Sequence, residues 1–199
     1  KKNKLVKNNY LRIKDLSQKK TAKLIASGEI IAFCNGKMEF GARALGARSF
    51  ISDPSNLKAK KKLNDLIKKR DFWMPFTPSI LKEDYYKYII NPKKISSDYM
   101  TIAFETTKKG QNHLKAAIHP EDLTVRPQMV KRETNLVYYN LIKEFKKLSG
   151  IGAVLNTSLN LHEKPIISKP IDIVNEFFKL GKNYLKYIYI KDTLYILKN

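Results

Sequence analysis

This sequence has little of three things: cysteine, arginine and long hydrophobic runs. Cys34 is the only cysteine among 199 residues, which excludes an internal disulfide and fits a reducing compartment. No apolar run approaches the ~20 residues that a membrane helix needs, and the amino-terminal segment lacks the apolar stretch of a secretory signal. We therefore expect a soluble, cytoplasmic protein that does not enter a membrane.

Acidic residues are also few, since 18 Asp and Glu stand against 39 Lys and Arg and give a formal net charge of +21. Such a charge often indicates a nucleic-acid partner. Here the lysines are spread through nearly every segment, which is typical of a solvated surface. Only six of the basic residues are arginine, whose planar guanidinium holds a carboxylate or phosphate by two parallel hydrogen bonds. The positions of the arginines are therefore more informative than the net charge.

The chain divides into an amino-terminal arm and one compact domain. Residues 1–20 are polar and lysine-rich, and they predict a linker or arm. The first residue is Lys1 rather than a methionine, so we expect the arm to join a missing upstream domain. Residues 21–199 then form the domain.

Within that domain, strand and helix patterns alternate. Residues 30–34, "IIAFC", predict a buried strand, and residues 184–199 predict a terminal hairpin with Lys191 and Asp192 at its turn. The segments "YMTIAFETT" (99–107) and "AAIHP" (116–120) also predict strands. The alternation indicates an α/β or α+β layer fold.

A lysine-rich helix is predicted over residues 57–70, with Asp53 and Ser55 as its caps. The following segment, "DFWMPFTPSIL" (71–81), contains two prolines that exclude a regular helix. We therefore expect an ordered aromatic loop there.

The motif "GKMEFGARALGARSF", residues 36–50, follows the buried strand directly. Gly41 and Gly46 have the spacing that begins a phosphate loop, but the motif continues with Ala47 and Arg48 rather than Lys-Ser/Thr, which excludes a standard P-loop. Glycines still let the backbone approach a ligand, and Arg43 and Arg48 could close on an anion. A surface turn with ordinary salt bridges explains the spacing about as well.

Three further places carry candidate ligand-binding residues. Lys68 and Arg70 end the predicted lysine-rich helix, where the helix dipole alone also favours basic residues. Residues 156–160, "NTSLN", follow a predicted buried strand, and ligands of open α/β sheets bind beyond the carboxyl ends of strands. Arg126 is a lone arginine on a predicted edge strand, so it needs a buried partner or a ligand. The three histidines lie too far apart in sequence to predict a metal site in this chain.

Taken together and in this order, these motifs resemble the carboxyl-terminal domain of carbamoyltransferases of the NodU type. The segments that carry the resemblance are "GKMEFGARALGARSFISDPSN", "LNDLIKKRDFWMPFTPSIL", "AAIHPEDLTVRPQ" and "LNTSLNLHEKPIISKPIDIVNEF". They occur in the family's order, from about residue 24 to the end. The resemblance implies a YrdC-like twisted mixed sheet with flanking helices, placed behind a larger actin-like ATPase-fold domain.

The resemblance also implies a reaction in two stages. The YrdC-like domain forms carbamoyl adenylate from ATP, which enters with Mg²⁺, and carbamoyl phosphate. The upstream domain, which carries its own histidine-bound metal, passes the carbamoyl group to an acceptor hydroxyl, for example of a sugar. This chain would then carry the first stage of a carbamoyltransferase.

Residue by residue, the resemblance implies which side chains bind and act. The family's paired arginines fall on Arg43 and Arg48, and its downstream arginine falls on Arg126. Its K-x-R pattern falls on Lys68 and Arg70. Its S-x-N pattern and the asparagine before it fall on Ser158, Asn160 and Asn156.

The sequence also departs from the family pattern. The family's F-R-P-F reads Trp73-Met74-Pro75-Phe76 here, so an arginine is replaced by Met74. Lys37 and Ala42 replace an arginine and a proline. Two alternatives therefore stay open: a degenerate domain that only supports its upstream partner, and an RNA-binding YrdC-like module, which the net charge would favour.

Overall fold

In a computed structural model, which describes residues 10–14, 17–69, 71, 74–178 and 185–198, eight strands form one mixed sheet. Their bounds are β1 Tyr10–Ile13, β2 Ile31–Cys34, β3 Arg48–Ser52, β4 Thr77–Leu81, β5 Gln128–Val130, β6 Ala153–Ser158, β7 Tyr187–Ile190 and β8 Thr193–Leu197. The order across the sheet is β1-β8-β7-β2-β3-β6-β4-β5. The pairs β2–β7 and β4–β5 are parallel and the other neighbours are antiparallel.

Helices flank this sheet. The α-helices are α1 Ser17–Ala26, α2 Leu57–Lys62, α3 Tyr85–Tyr88, α4 Lys108–His113, α5 Leu136–Ser149 and α6 Pro170–Phe178. A π-helical segment, Leu63–Lys68, continues α2, and a 3₁₀ turn, Lys82–Asp84, precedes α3. The predicted α/β class, a mixed sheet with flanking helices, is confirmed. In the described part of the chain, each helix is too short or too polar to span a membrane.

Two apolar cores pack on the opposite faces of the sheet. Phe33 and Ile51 belong to one core together with side chains of α5, such as Phe145. Phe50 and Leu155 belong to the other core, which includes residues of α2 and α6. Neighbouring residues of one strand enter different cores because successive side chains of a strand point to opposite faces.

Part of the segment predicted as an arm belongs to this sheet. Residues Tyr10–Ile13 form its edge strand, in which Tyr10 is paired with Leu197. Helix α1 begins at Ser17 and packs against α5. Tyr10 and Ser17 are both buried, so burial of these side chains ties the end of the predicted arm to the domain.

The predictions for two strands and one cap are wrong. Around Phe104 the chain forms isolated bridges only. Ala116 and Ala117 lie in a turn and are buried by tertiary packing. The cap of α2 is Asn56, whose side chain accepts N–H groups of the first turn. Asp53 instead accepts hydrogen bonds from the residue two positions later.

The predicted aromatic loop is only partly correct, because its second half is strand β4. A proline near the start of a strand removes few ladder hydrogen bonds, and Pro78 is accommodated opposite Leu155. Phe72 and Trp73, on which the prediction also rested, lie outside the described residues. The hairpin prediction is confirmed, with Lys191 and Asp192 at φ 46° and 57° between β7 and β8.

A buried carboxylate fixes the 3₁₀ turn to α5. Asp84 is 1% exposed, and its oxygens lie 2.6 Å from Lys87 Nζ and 2.5 Å from Lys146 Nζ. Burial alone would raise the pKa of Asp84, but hydrogen bonds from Lys146 and Lys87 outweigh it and lower the pKa. A Cβ on Gly152 would lie 2.0 Å from the same carboxylate, so this ion pair requires a glycine in front of β6.

Candidate functional site

The candidate site is built around the loop of residues 36–47, which joins β2 to the neighbouring strand β3. Gly46 has φ +96°, and a Cβ there would lie 2.2 Å from the ring of Tyr138 on α5. A side chain at this position is therefore excluded twice, by the backbone angle and by the close approach. The loop lies against the helix layer because Gly46 permits it.

Arg48, predicted to bind an anion, is buried and is held by main-chain carbonyls. It is 5% exposed. Its Nε and Nη2 donate to the carbonyl of Ser168 at 3.2 and 3.1 Å. Its Nη1 donates to Gly36 at 3.2 Å and to Ala47 at 2.9 Å. The guanidinium therefore ties the start of the loop to its end and to the segment before α6.

Glu39 is a functional candidate that was not among the predicted site residues. Its Oε1 accepts N–H groups of Leu45, Ala47 and Arg48 at 2.7, 2.6 and 3.2 Å. Its Oε2 is buried and has no hydrogen-bond partner among the described residues. A lone acid among glycines and arginines was the sequence signal that could have indicated it.

Lys68, Ser158 and Asn160 come together, as the resemblance implies. Lys68 is 2% exposed, and its Nζ donates to the carbonyl and hydroxyl oxygens of Ser158 at 2.5 and 3.2 Å. It also donates to the carbonyl and side-chain oxygens of Asn160 at 3.0 and 2.7 Å. The ammonium thus lies at the carboxyl end of β6, where it is also 5.7 Å from the centre of the Phe50 ring.

The π-helical segment brings Lys68 to this position. The N–H of Lys69 donates to the carbonyl of Asn64 at 2.6 Å, five residues back, and Lys69 has the left-handed φ of 46°. The N–H of His162 donates to Ile67 at 3.2 Å, which joins the segment to the chain beyond β6. Single π-turns in helices are frequent at functional sites.

Asn156 lies under the loop rather than on its surface. Its side chain is 0% exposed, and its Nδ2 donates to the carbonyl of Ala44 at 2.9 Å and to Ser79 Oγ at 3.0 Å. Its Oδ1 is buried without a hydrogen-bond partner among the described residues. Asn156 therefore supports the part of the loop next to Arg43.

Arg43 is exposed beside a small groove. In the part of the chain that the structure describes, its guanidinium makes no hydrogen bond or ion pair. The groove has a volume of about 60 Å³ and reaches Ser158 at the end of β6. Its lining is Ala42, Arg43, Ala44, Thr77, Met100, Thr157 and Ser158. The Arg43 guanidinium is therefore not held by any side chain or carbonyl of the described residues.

The structure does not bring every predicted residue to this groove. Arg126 is exposed two residues before β5 and does not line the groove. Arg70 lies outside the described residues. Met74, in the place of the family's arginine, is 38% exposed and precedes the groove residue Thr77 by three positions.

The neighbouring titratable side chains stay neutral. Burial raises the pKa of the Cys34 thiol and the pKa of the Tyr138 hydroxyl. Among the described residues, the charges in and directly beside the loop therefore come from Lys37, Glu39, Arg43, Arg48 and Lys68. Among the described residues, no three of His, Cys, Asp and Glu are grouped so that they could hold a metal ion.

Comparisons with known proteins agree with the resemblance. The family model "Carbamoyltransferase C-terminus" matches residues 22–196. A protein of Methanocaldococcus jannaschii is 43% identical over 156 residues, which are 78% of this chain and 25% of that protein. Nodulation protein NolNO of Sinorhizobium fredii is 36% identical over 159 residues, which are 79% of this chain and 23% of that protein. The chain spans about a quarter of the length of these relatives.

Solved structures confirm the predicted YrdC-like fold. Full-length HypF in a phosphate- and nucleotide-bound form has a TM-score of 0.62 and 19% identity over 92% of this chain and 25% of that chain. Sua5 of P. abyssi with L-threonine has a TM-score of 0.61 and 14% identity over 87% of this chain and 46% of that chain. E. coli YciO has the same TM-score and identity and covers 87% of this chain and 76% of that chain.

Proposed function

Because this chain belongs to the carbamoyltransferase C-terminal family, we propose that it forms carbamoyl adenylate from ATP and carbamoyl phosphate. It acts as the adenylate-forming domain of a longer O-carbamoyltransferase. An upstream actin-like ATPase-fold domain with its own metal then transfers the carbamoyl group to a hydroxyl of a sugar or another small molecule.

The reaction balances with one water. Water converts carbamoyl phosphate into carbamate and inorganic phosphate. A carbamate oxygen then attacks the α-phosphorus of ATP, a new O–P bond forms, and the bond to the β-phosphate breaks. Pyrophosphate leaves with the electron pair of that bond. Mg²⁺ enters as part of the ATP substrate, since magnesium is usually held by substrate phosphates and few protein ligands.

The observation that carries this proposal is the Lys68 ammonium, held by Ser158 and Asn160 at the end of β6 beside the groove that Arg43 lines. The transition state gathers negative charge on phosphate oxygens, and fixed cations and N–H donors stabilise that charge. Lys68 is immobilised by four oxygens, while Arg43 is available to the ligand. The site therefore combines a fixed cation with an adaptable one.

The size of the groove supports a binding mode in which only part of the substrate enters it. The groove is small, at about 60 Å³, and therefore suits one small group such as a phosphate or carbamoyl group. A whole nucleotide needs a pocket of several hundred Å³. We infer that the reacting groups enter the groove while the adenosine lies outside it. Full-length HypF, of which the matched part is 25%, has been solved in a phosphate- and nucleotide-bound form, which agrees with this proposal.

The test is release of pyrophosphate by this chain with ATP, Mg²⁺ and carbamoyl phosphate. We expect release that requires carbamoyl phosphate, and a loss of about 100-fold in Arg43→Ala, which removes one charged donor. Arg12→Ala is the matched control because Arg12 is exposed on β1, at the other edge of the sheet. Arg43→Ala is preferable to removing Arg48 or Lys68, since both of these are buried.

Two results would contradict the proposal. Pyrophosphate release that is independent of carbamoyl phosphate would assign a different reaction. Absence of release, also after the upstream domain is restored, would favour the degenerate domain. Binding of RNA that is tighter than binding of other polyanions and that falls steeply with salt would favour the nucleic-acid alternative.

A further inference from the structure

The loop of residues 36–47 contains a ready anion-binding pocket that the chain fills itself. Three backbone N–H groups, those of Leu45, Ala47 and Arg48, converge on Glu39 Oε1 within 3.2 Å. Convergent N–H groups around a glycine with positive φ form a nest that binds anions, as in phosphate loops. Here Gly46, at φ +96°, lies between the donors. The occupant is a carboxylate of the same loop.

This occupation has a consequence for the ligand. A phosphate cannot enter the nest while Glu39 Oε1 fills it, because the N–H groups of residues 45, 47 and 48 are already used. Among the charged side chains, Arg43 lines the groove. The part of the glycine-rich loop that contains residues 45, 47 and 48 therefore supports Arg43 and does not itself cradle the substrate.

The carboxylate and the guanidinium close the loop from two sides. Glu39 fixes the second half of the loop from inside, and Arg48 Nη1 fixes its start by donating to Gly36 at 3.2 Å. Between these two anchors lies Arg43, whose own side chain makes no such contact in the described part of the chain. The position of Arg43 beside Ser158 thus depends on contacts of other residues.

We propose that Glu39 is a positioning residue: its carboxylate fills the backbone nest as an internal anion and thereby places Arg43 at the groove. The activity test of this inference rests on the proposed function, whereas the test by formate binding does not. It predicts that the nest binds a small external carboxylate when the side chain of Glu39 is removed.

The structure also provides an entry path for such a carboxylate. A cavity of about 260 Å³ is lined by Glu39, Leu45 and Ala47, which contribute both the internal anion and two of the three donors. Truncation of Glu39 would open the nest to this cavity. Formate, which has the carboxylate group and nothing else, is the probe that fits.

The experiment compares Glu39→Ala with Glu39→Gln in the whole chain. We expect Glu39→Ala to lose about 100-fold in pyrophosphate release, since a misplaced binding group costs that much. Formate, but not chloride at the same ionic strength, should restore most of the loss. Glu39→Gln should retain activity within a few-fold, because its amide oxygen can accept the same three N–H groups. Glu105→Ala, at an exposed acid, is the control.

A second readout does not require catalysis. Formate should raise the melting temperature of Glu39→Ala and leave that of the wild type unchanged, because only the variant has an open nest. If the wild type releases no pyrophosphate, also after the upstream domain is restored, the proposed function fails, while this measurement still decides whether Glu39 fills the nest.

The proposal is overturned if Glu39→Ala is as active as the wild type, or if formate neither restores its activity nor stabilises it. If Glu39→Ala does not fold, Glu39→Gln decides the question. If Glu39→Gln folds but loses as much pyrophosphate release as Arg43→Ala does, the charge of Glu39 acts directly, which contradicts a positioning role.

Discussion

Arg43 and Arg48 lie five residues apart in one motif and have opposite environments. Arg48 is 5% exposed and donates to three main-chain carbonyls. Arg43 is exposed beside the groove, and its guanidinium is uncommitted within the described residues. Of two arginines in one motif, Arg48 is therefore committed to the structure, and Arg43 is the member that can meet the proposed ligand.

The largest effect on stability is expected for Arg48→Ala. This change removes the buried guanidinium that joins the carbonyls of Gly36, Ala47 and Ser168, of which only Ala47 is a buried residue. We expect a loss of about 3 kcal/mol in the free energy of unfolding, as when a buried hydrogen-bond network is broken. Urea denaturation measures it. Arg12→Ala should change this free energy by less than about 0.5 kcal/mol, as exposed substitutions usually do. A stable but inactive Arg48→Ala would instead make Arg48 a binding residue and would break the comparison.

Asp84 is a buried charge in another region of the molecule. It tests whether buried charges that are held by hydrogen bonds stabilise the folded state in general. Its folded-state pKa is lowered, because hydrogen bonds from Lys146 and Lys87 outweigh burial. The unfolded chain therefore takes up the proton at a higher pH than the folded chain does. The stabilisation by Asp84 is present above the ordinary carboxyl pKa of about 3.9 and is lost as the pH falls through the lowered value.

Asp84→Asn should thus cost about 2 kcal/mol at neutral pH and less as the pH falls below about 4. Denaturation at a series of pH values measures both. The matched control is Asp65→Asn, since Asp65 forms an exposed i,i+4 pair with Lys61 whose loss should cost under about 0.5 kcal/mol. Equal losses in the two variants would show that burial of the carboxylate is not what matters.

Sequence reasoning predicted the elements whose signals are local. The run of residues 30–34 became the buried strand β2, and Lys191-Asp192 became the turn of the hairpin, because a tight turn is determined by adjacent residues. The strand prediction at Ala116 and Ala117 is wrong, because these two apolar residues are buried in a turn. Apolar composition indicates burial but does not distinguish a strand from a packed turn.

The site was predictable to a similar extent. The family motif led to Lys68, Ser158 and Asn160, and the structure brings these three together. The burial of Arg48 depends on the carbonyl of Ser168, 120 residues away, and no local pattern could show it. Charged side chains of one type look alike in a sequence, so their division into structural and ligand-binding residues requires the fold.

The smallest effect is expected for Met74→Arg, which adds a second exposed cation near the groove. Three peptide units separate Met74 from the groove residue Thr77, so the two Cα atoms lie within about 11 Å, a distance that an arginine side chain can largely cover. An exposed charge pair contributes up to about 1 kcal/mol, so pyrophosphate release at low ATP should rise about three-fold, with unchanged stability. Met74→Gln separates charge from polarity, and an equal rise in that variant would mean that a second cation adds nothing to Arg43.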